Sequence, residues 1–267
     1  MGEFGLPNAI QLQEVPADFV AEALRLFLAA VLQLHLEEQA RSVHRCRFAP
    51  FYTKRMACAI CETRRPRRYC PGVRGEICTL CCGTEREVSV SCPLDCEYLR
   101  DARKHEKPVD LDEEQIPNRD IRITEEFLEE HENLLMFLGG VIASGALATD
   151  GVVDFDVRQA LDALVRTYRT LVSGVYYESV PPNPLAAAMF RRVQDTLQEA
   201  RRRETQQLGI TRTRDADVLG ALAFLQRLEY DRNNGRKRGR AFVDFLREVY
   251  ESAAEPEAPP TSPLVLP

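Results

Sequence analysis

The second half of the chain repeats apolar residues at the spacing of amphipathic helices. In five stretches they recur every three or four residues, which gathers them on one helical face. The stretches span approximately residues 124–142, 155–178, 184–203, 215–230 and 239–251. A proline run at 181–184 separates the second stretch from the third, and Asn233–Gly235 ends the fourth. Helices joined by short loops predict an antiparallel α-helical bundle over residues 121–251.

Two features are expected to shape the first of these helices. Thr124 precedes Glu125 and Glu126, and acids in the first turn interact favourably with the positive end of the helix dipole. Gly139 and Gly140 follow one another inside the apolar pattern. This pair is expected to weaken or kink the helix.

The rest of the chain divides into four further segments by composition. Residues 1–50 form an N-terminal extension with one amphipathic helix at about 16–39, expected to pack on the bundle or, alternatively, to meet a partner or membrane surface. Residues 51–100 hold a cysteine-rich module. Residues 101–120 are acidic and contain two prolines, which predicts a linker. Residues 252–267 are rich in proline, alanine and glutamate, which predicts a disordered tail.

Eight of the nine cysteines fall within 39 residues, in a segment with few large apolar side chains. They are Cys58, Cys61, Cys70, Cys78, Cys81, Cys82, Cys92 and Cys96. Two C-x-x-C pairs have the spacing at which one turn directs two sulfurs at one ion, and eight thiols suit two closed zinc sites. Disulfides are the alternative, but they require an oxidising compartment, and the N-terminus lacks a secretory signal. The sequence therefore predicts two structural Zn²⁺ ions.

Two assignments of cysteines to ions are open. In the favoured interleaved one, a first ion is held by Cys58, Cys61, Cys78 and Cys81, and a second by Cys70, Cys82, Cys92 and Cys96. In the sequential one, the early cysteines fill one site and the late ones the other. Because thiolates outnumber the charge of the ions, nearby arginines are expected to donate hydrogen bonds to sulfur. These are Arg64, Arg65, Arg67, Arg68 and Arg74. Cys46 is expected to be an unpaired thiol.

Composition and charge narrow the class of protein. The apolar share of 45% is ordinary for a soluble protein, and the net charge of −6 hides basic and acidic segments that can neutralise each other. No uncharged apolar run reaches the length of a transmembrane helix, which takes about 18 residues or more. A reducing, cytoplasmic location without membrane attachment is expected.

The cysteine segment resembles a known kind of zinc domain. Cys58-x-x-Cys61, Arg68-Tyr69-Cys70-Pro71 and Ile77-Cys78-x-x-Cys81 are similar to the HIT and MYND type of compact double-zinc knuckle. The resemblance covers about 39 of the 267 residues. It implies two zinc ions bound in interleaved order and a surface that binds protein partners. The helical half shows no such resemblance.

Three functions fit these features, and none is catalytic. Catalytic zinc sites keep an open position and commonly use histidine or carboxylate ligands, whereas no histidine lies between Cys58 and Cys96. The sequence therefore predicts a non-enzymatic zinc-binding adaptor with a protein partner and no evident small-molecule substrate. A metal- or redox-responsive switch at Cys81 and Cys82 is one alternative. The other is a nucleic-acid-binding regulator that uses Arg64, Arg65, Arg67, Arg68, Arg236, Lys237, Arg238 and Arg240.

Overall fold

The computed structural model describes residues 57–106 and 113–254 of the chain. A small cysteine-containing module comes first, with an antiparallel hairpin of β1 (Arg68–Cys70) and β2 (Gly75–Ile77). Two short helices follow, α1 (Thr79–Thr84) and α2 (Glu97–Arg103). The remaining helices are α3 (Glu125–Glu130), α4 (Glu132–Ala148), α5 (Asp154–Val172), α6 (Pro184–Leu208), α7 (Asp215–Arg232) and α8 (Ala241–Ala254). The prediction of a mainly α-helical chain with a cysteine module ahead of the helices is confirmed.

The helix ends follow from local chemistry. Thr124 caps α3 by accepting a hydrogen bond from the Phe127 amide at 3.2 Å. The second predicted helix is shorter than the apolar pattern indicated, because α5 ends at Val172 and Gly174 adopts a positive φ of 84°. The chain beyond Gly174 is not helical. It folds back on α5, where the Ser179 amide donates to the Thr167 hydroxyl at 3.0 Å.

Helices α5 and α6 are neighbours that run in the same direction. Asn183, the N-cap of α6, donates to Asp156 at 2.6 Å and to Gln159 at 2.9 Å, so both helices begin side by side. Further along, the Arg201 guanidinium of α6 lies 6.0 Å from the ring centroid of Tyr168 on α5. Residues 173–183 therefore return along α5 before α6 begins. The expected antiparallel order does not hold for this pair, because no short loop joins the two helices.

The Gly139–Gly140 pair lies inside one continuous helix rather than at a break. A Cβ added at Gly139 would lie 2.5 Å from the Tyr250 hydroxyl, and one at Gly140 would lie 3.3 Å from the Tyr250 ring. Tyr250 of α8 thus packs directly on the α4 backbone, where its hydroxyl donates to the Met136 carbonyl at 2.5 Å. The glycines serve close helix packing, and the break in this region falls instead at His131, between α3 and α4.

A buried carboxylate joins the cysteine module to the bundle. Glu87 has no exposed surface, and it accepts hydrogen bonds from Arg103 at 2.8 Å, from the Asn234 side chain at 2.8 Å and from the Arg240 amide at 3.1 Å. Its backbone carbonyl accepts from the Arg238 amide at 2.8 Å. Glu87 adopts a φ of 54°, a conformation that normally favours glycine. The carboxylate contacts offset this backbone cost.

Apolar packing continues across the same junction. Leu94 of the module is 8% exposed and belongs to the core cluster that also contains Leu138, Leu164 and Phe242 of the bundle. A second, smaller cluster within the module is built around Ile77 and the cysteine side chains. The module therefore has little apolar core of its own and shares part of the bundle's core.

The segment predicted as an acidic linker is fixed to the bundle in its described part. Arg227 of α7 donates to the carbonyls of Pro117 at 3.2 Å, Asn118 at 2.6 Å and Ile121 at 2.7 Å. Burial lowers the pKa of Arg227, although Asp120 opposes this shift. The segment around Asn118 thus behaves as part of the helical domain rather than as a free connector.

Several predictions concern residues outside the described ranges. The amphipathic helix at 16–39, the unpaired Cys46 and the tail beyond residue 254 lie there. Within residues 57–106 and 113–254, no helix combines the length and the apolar character needed to cross a lipid bilayer.

Removal of the Glu87 charge should destabilise the module and the bundle together. Glu87→Gln keeps the shape but removes one of the two carboxylates that pair with Arg103, and Asp244 remains as the other. Loss of a hydrogen bond to a charged group costs about 2 kcal/mol. Chemical denaturation monitored by circular dichroism measures the loss. Glu248→Gln, an equal charge change at an exposed residue of α8, should change stability by less than about 0.5 kcal/mol. Equal stabilities of the two variants would contradict this role of Glu87.

A second buried carboxylate, Asp154, caps α8 from the first residue of α5. Its two oxygens accept from the amides of Phe242 and Val243, each at 3.1 Å. Burial raises the pKa of Asp154 to about 7, against the two amide hydrogen bonds, which lower it. The protonated form is therefore favoured in the folded protein relative to the unfolded chain.

This pKa shift predicts how stability depends on pH. Between about pH 4 and pH 7 the folded state binds more protons at Asp154 than the unfolded state, so this contribution to stability is present at pH 4 and lost as the pH rises to 7. Asp154→Asn removes the titration. The stability of the native protein relative to Asp154→Asn should fall over this range, as measured by urea unfolding at each pH. A difference that stays constant with pH would overturn the assignment.

Candidate metal centre

Four cysteine sulfurs converge at the start of the module. The Sγ atoms of Cys58, Cys61, Cys78 and Cys81 all lie within 4.8 Å of one another. In a tetrahedral Zn–S₄ site with bonds near 2.3 Å, the sulfurs stand about 3.8 Å apart. Three of the cysteines are buried and Cys61 is half-buried. These four residues could therefore hold one metal ion, and they form the first sulfur cluster.

Local backbone geometry directs these sulfurs inward. Cys78 is the N-cap of α1, and its sulfur accepts from the Cys81 amide at 3.4 Å. The Cys58 sulfur accepts from the Cys78 amide at 3.2 Å, which links the two C-x-x-C turns. Hydrogen bonds from amides stabilise a thiolate, so the backbone is arranged for negatively charged sulfur.

Two thiols of this cluster, Cys61 and Cys81, have pKa values shifted in opposite directions. Hydrogen bonds from Thr63 and from the Arg64 amide lower the pKa of Cys61 to about 5. Burial, together with the neighbouring sulfurs, raises the pKa of Cys81 to about 12. Four adjacent thiols therefore do not all ionise by themselves near neutral pH. A divalent cation would supply the charge that allows all four to act as thiolates.

The other four cysteines surround a second, neighbouring cavity. Its lining includes Cys70, Cys82, Cys92 and Cys96, together with the apolar side chains of Ile77 and Leu99. Within the described residues, only the first cluster brings its sulfurs within 4.8 Å of one another. The cavity groups the cysteines in the way the interleaved assignment expects. The second ion stays a prediction.

Helix α1 contributes to both groups of sulfurs. Cys81 belongs to the first cluster and Cys82 lines the second cavity, because successive side chains of a helix point in different directions. The Cys82 sulfur faces Arg68 at 3.7 Å and Arg86 at 3.8 Å. The hydrogen bond that Arg64 makes to Cys61 raises the pKa of Arg64. Arg64 and Arg68 thus compensate sulfur charge, as expected, and Arg86 was not foreseen in this role.

The basic loop at residues 232–240 is largely occupied by contacts within the protein. Arg236 donates to the Arg86 carbonyl at 2.9 Å and pairs with Glu106 at 3.2 Å. Arg238 donates to Ser91 at 2.8 Å. The predicted nucleic-acid-binding residues of this loop are placed as follows: Arg236 and Arg240 are half-buried, and Lys237 and Arg238 are exposed. The structure gives the loop a part in joining module and bundle.

The charged partners at this junction were missed from sequence. Glu87 is a single acid in a polar stretch, and no local pattern distinguishes it from an exposed glutamate. Thr63 was also missed, although its position two residues after Cys61 is a signal that could have indicated a hydrogen bond to sulfur. Both depend on contacts made only after the chain has folded.

Loss of one sulfur from the first cluster should remove its metal and leave most helices intact. Cys78→Ser is expected to lower the bound zinc by one equivalent, because a tetrahedral site needs four ligands. The far-UV circular dichroism should largely persist, since the main core lies in α4–α8. Elemental analysis and circular dichroism test both points. The control Cys46→Ser should keep the full zinc content. Unchanged zinc in Cys78→Ser, or loss of helicity across the chain, would contradict this account.

Comparisons with protein-family models, with curated proteins and with solved structures found no match to this chain. The resemblance of the cysteine segment to double-zinc knuckles thus stays an expectation.

Proposed function

We propose that this chain is a non-enzymatic zinc-binding adaptor, in which structural zinc holds the cysteine module and the helical bundle offers a surface to a protein partner. The observation that carries the proposal is the first sulfur cluster. Four mutually adjacent sulfurs fill all positions of a tetrahedral ion and leave none open for substrate or water. An ion held in this way would stabilise the fold rather than take part in a reaction.

Zinc is the metal that fits this ligand set best. Tetrahedral sites of four sulfurs select zinc or iron–sulfur centres. Sulfurs within 4.8 Å of one another suit a single ion and lie too close together to enclose a cluster of several iron atoms. The eight described cysteines are all unpaired, which supports a reducing, cytoplasmic setting.

A second zinc ion in the neighbouring cavity completes the proposed module. Cys70, Cys82, Cys92 and Cys96 line this cavity, and their four thiols supply the number of ligands that one tetrahedral ion needs. A tetrathiolate zinc site carries a net charge of −2. The guanidinium groups of two arginines that face Cys82 offset this charge.

The surface proposed for the protein partner lies on the segment between α5 and α6, which we call the crossover segment (residues 173–183). Four of its side chains are apolar or aromatic and strongly exposed: Val175 at 58%, Tyr176 at 69%, Tyr177 at 64% and Val180 at 45%. Val172, the last residue of α5, is exposed as well, at 49%. Exposed apolar and aromatic side chains concentrated in one short segment are typical of protein-binding sites, and tyrosine is enriched at their centres.

Substitution of the crossover tyrosines should remove the partner without affecting the fold. Tyr176→Ser/Tyr177→Ser leaves the buried core untouched, and aromatic residues at interface centres contribute most to affinity. Recovery of the partner from cells of its own organism, measured by quantitative mass spectrometry, should fall at least about tenfold. Zinc content should remain that of the native protein.

The matched control is Phe155→Ser, which removes an aromatic side chain of similar exposure, 54%, from the start of α5. It should leave partner recovery unchanged. The adaptor proposal would be overturned if the two variants and the native protein recover the same proteins. Purified protein without zinc would overturn its metal component independently of any partner.

A further inference from the structure

The hairpin of the cysteine module has one face turned towards solvent. The Arg67 amide donates to the Ile77 carbonyl at 2.9 Å, which extends the strand pairing by one residue beyond β1. Since side chains alternate along a strand, Arg67 and Tyr69 lie on the opposite face from Arg68 and Cys70. The second cavity is lined by Arg68 and Cys70, and Tyr69 borders it as well. Tyr69 is 57% exposed. An unburied aromatic ring thus lies beside a cation on the outer face.

Arg74 adds a second cation at the tip of this hairpin, at a cost to the backbone. Its φ is 56°, in the left-handed region that glycine adopts without strain. For other residues this conformation is unfavourable by roughly 1–2 kcal/mol. The Arg74 side chain is exposed and has no ion-pair partner among the described residues, so no internal contact compensates for the strain. A role towards an external ligand would account for it.

The arginines of the module divide into two groups by their contacts. Arg64 and Arg68 act on sulfur. Arg65, Arg67 and Arg74 are exposed and without ion-pair partners in the described part of the chain. The acid on this face is Glu76, which lies opposite Tyr69 in the strand register and is half-buried. The outer face therefore keeps a positive charge after internal pairing is taken into account.

We propose that this outer face, which carries Arg67 and Tyr69, binds single-stranded nucleic acid together with the nearby exposed cations Arg65 and Arg74. The Tyr69 ring stacks on an unpaired base, and the guanidinium groups bind the flanking phosphates, for which their planar fork is suited. An acidic peptide would use the cations but not the exposed ring. The bases of a duplex are already stacked on each other and are inaccessible to Tyr69.

This inference goes beyond the adaptor function and rests on its metal component, because the hairpin faces the sulfurs and needs a folded module. It also differs from the prediction made from sequence, in which the loop at 232–240 contributes to nucleic-acid binding. The loop at 232–240, which carries Arg236 and Arg238, holds the module against the bundle. The proposed binding face lies on the hairpin and the residues that lead into it, and includes Tyr69 and Arg74.

The test uses the full chain with its zinc content measured on the same sample. Binding to a fluorescently labelled oligouridine of about twelve nucleotides, a typical site length, is followed by anisotropy. The DNA equivalent, a duplex and polyglutamate serve as comparison probes. Tyr69→Ala should weaken oligouridine binding about tenfold or more, through loss of base stacking. Arg67→Gln should weaken it and reduce its salt dependence.

Arg74→Gly separates binding from folding. Glycine relieves the positive φ, so this variant should unfold at the same or a higher temperature than the native protein while binding more weakly. Arg191→Gln removes an exposed charge of α6 that has no ion-pair partner in the described ranges, and this variant should bind like the native chain. With three phosphates neutralised on a single strand, the logarithm of affinity should fall with the logarithm of salt concentration at a slope of about −2.

Each outcome decides the question. Affinity for oligouridine or its DNA equivalent that falls in Tyr69→Ala and Arg74→Gly supports the proposal, and the better of the two probes identifies the sugar. The proposal is overturned by zinc-loaded protein that binds neither strand, by binding that these variants leave unchanged, or by equal affinity for polyglutamate. Protein that lacks zinc and has an unfolded module would instead show that the proposed structural metal is wrong.

Discussion

The structure depends on one carboxylate with no access to solvent. Glu87 lies between the cysteine module and the bundle, and its contacts reach α2, the segment after α7 and the start of α8. A charge without hydration is tolerated only when each oxygen has partners, and here a guanidinium, an amide side chain and a backbone amide supply them. The Glu87 carboxylate therefore fixes both the segment between α7 and α8 and the course of the module loop.

This junction also connects the two regions of sulfur chemistry to the helices. Glu87 lies in the loop between Cys82 and Cys92, which both line the second cavity. An ion in that cavity would fix both ends of the loop and hence the position of the carboxylate. Conversely, Arg103 and Asn234 hold the loop from the bundle side. Metal binding and helix packing are therefore expected to support each other rather than to act as separate sources of stability.

Much of the fold was accessible from sequence because its determinants are local. Apolar spacing identified the main helices, and the C-x-x-C spacing identified the first sulfur cluster. The direction of α6 relative to α5 was not accessible, since it depends on how residues 173–183 bond to α5. The role of Gly139 was also misjudged, because its reason is Tyr250, more than a hundred residues away. The distribution of charge along the chain could not show which arginines form contacts within the protein, because their partners are Glu87, Glu106 and the cysteine sulfurs, which become neighbours only in the folded chain.

The parallel arrangement of α5 and α6 sets a minimum length for the chain between them. Ser179 is fixed at Thr167, and Asn183 is fixed beside Gln159, eight residues or about 12 Å back along α5. Four extended residues reach at most about 14 Å, so the chain from Ser179 to Asn183 must be almost fully extended. A single deletion within it would shift α6 along α5, whereas insertions near Tyr176 would only enlarge an exposed bend. In related proteins, changes of length are thus expected on one side of Ser179 only, before it in the chain, while the register of α6 against α5 stays constant.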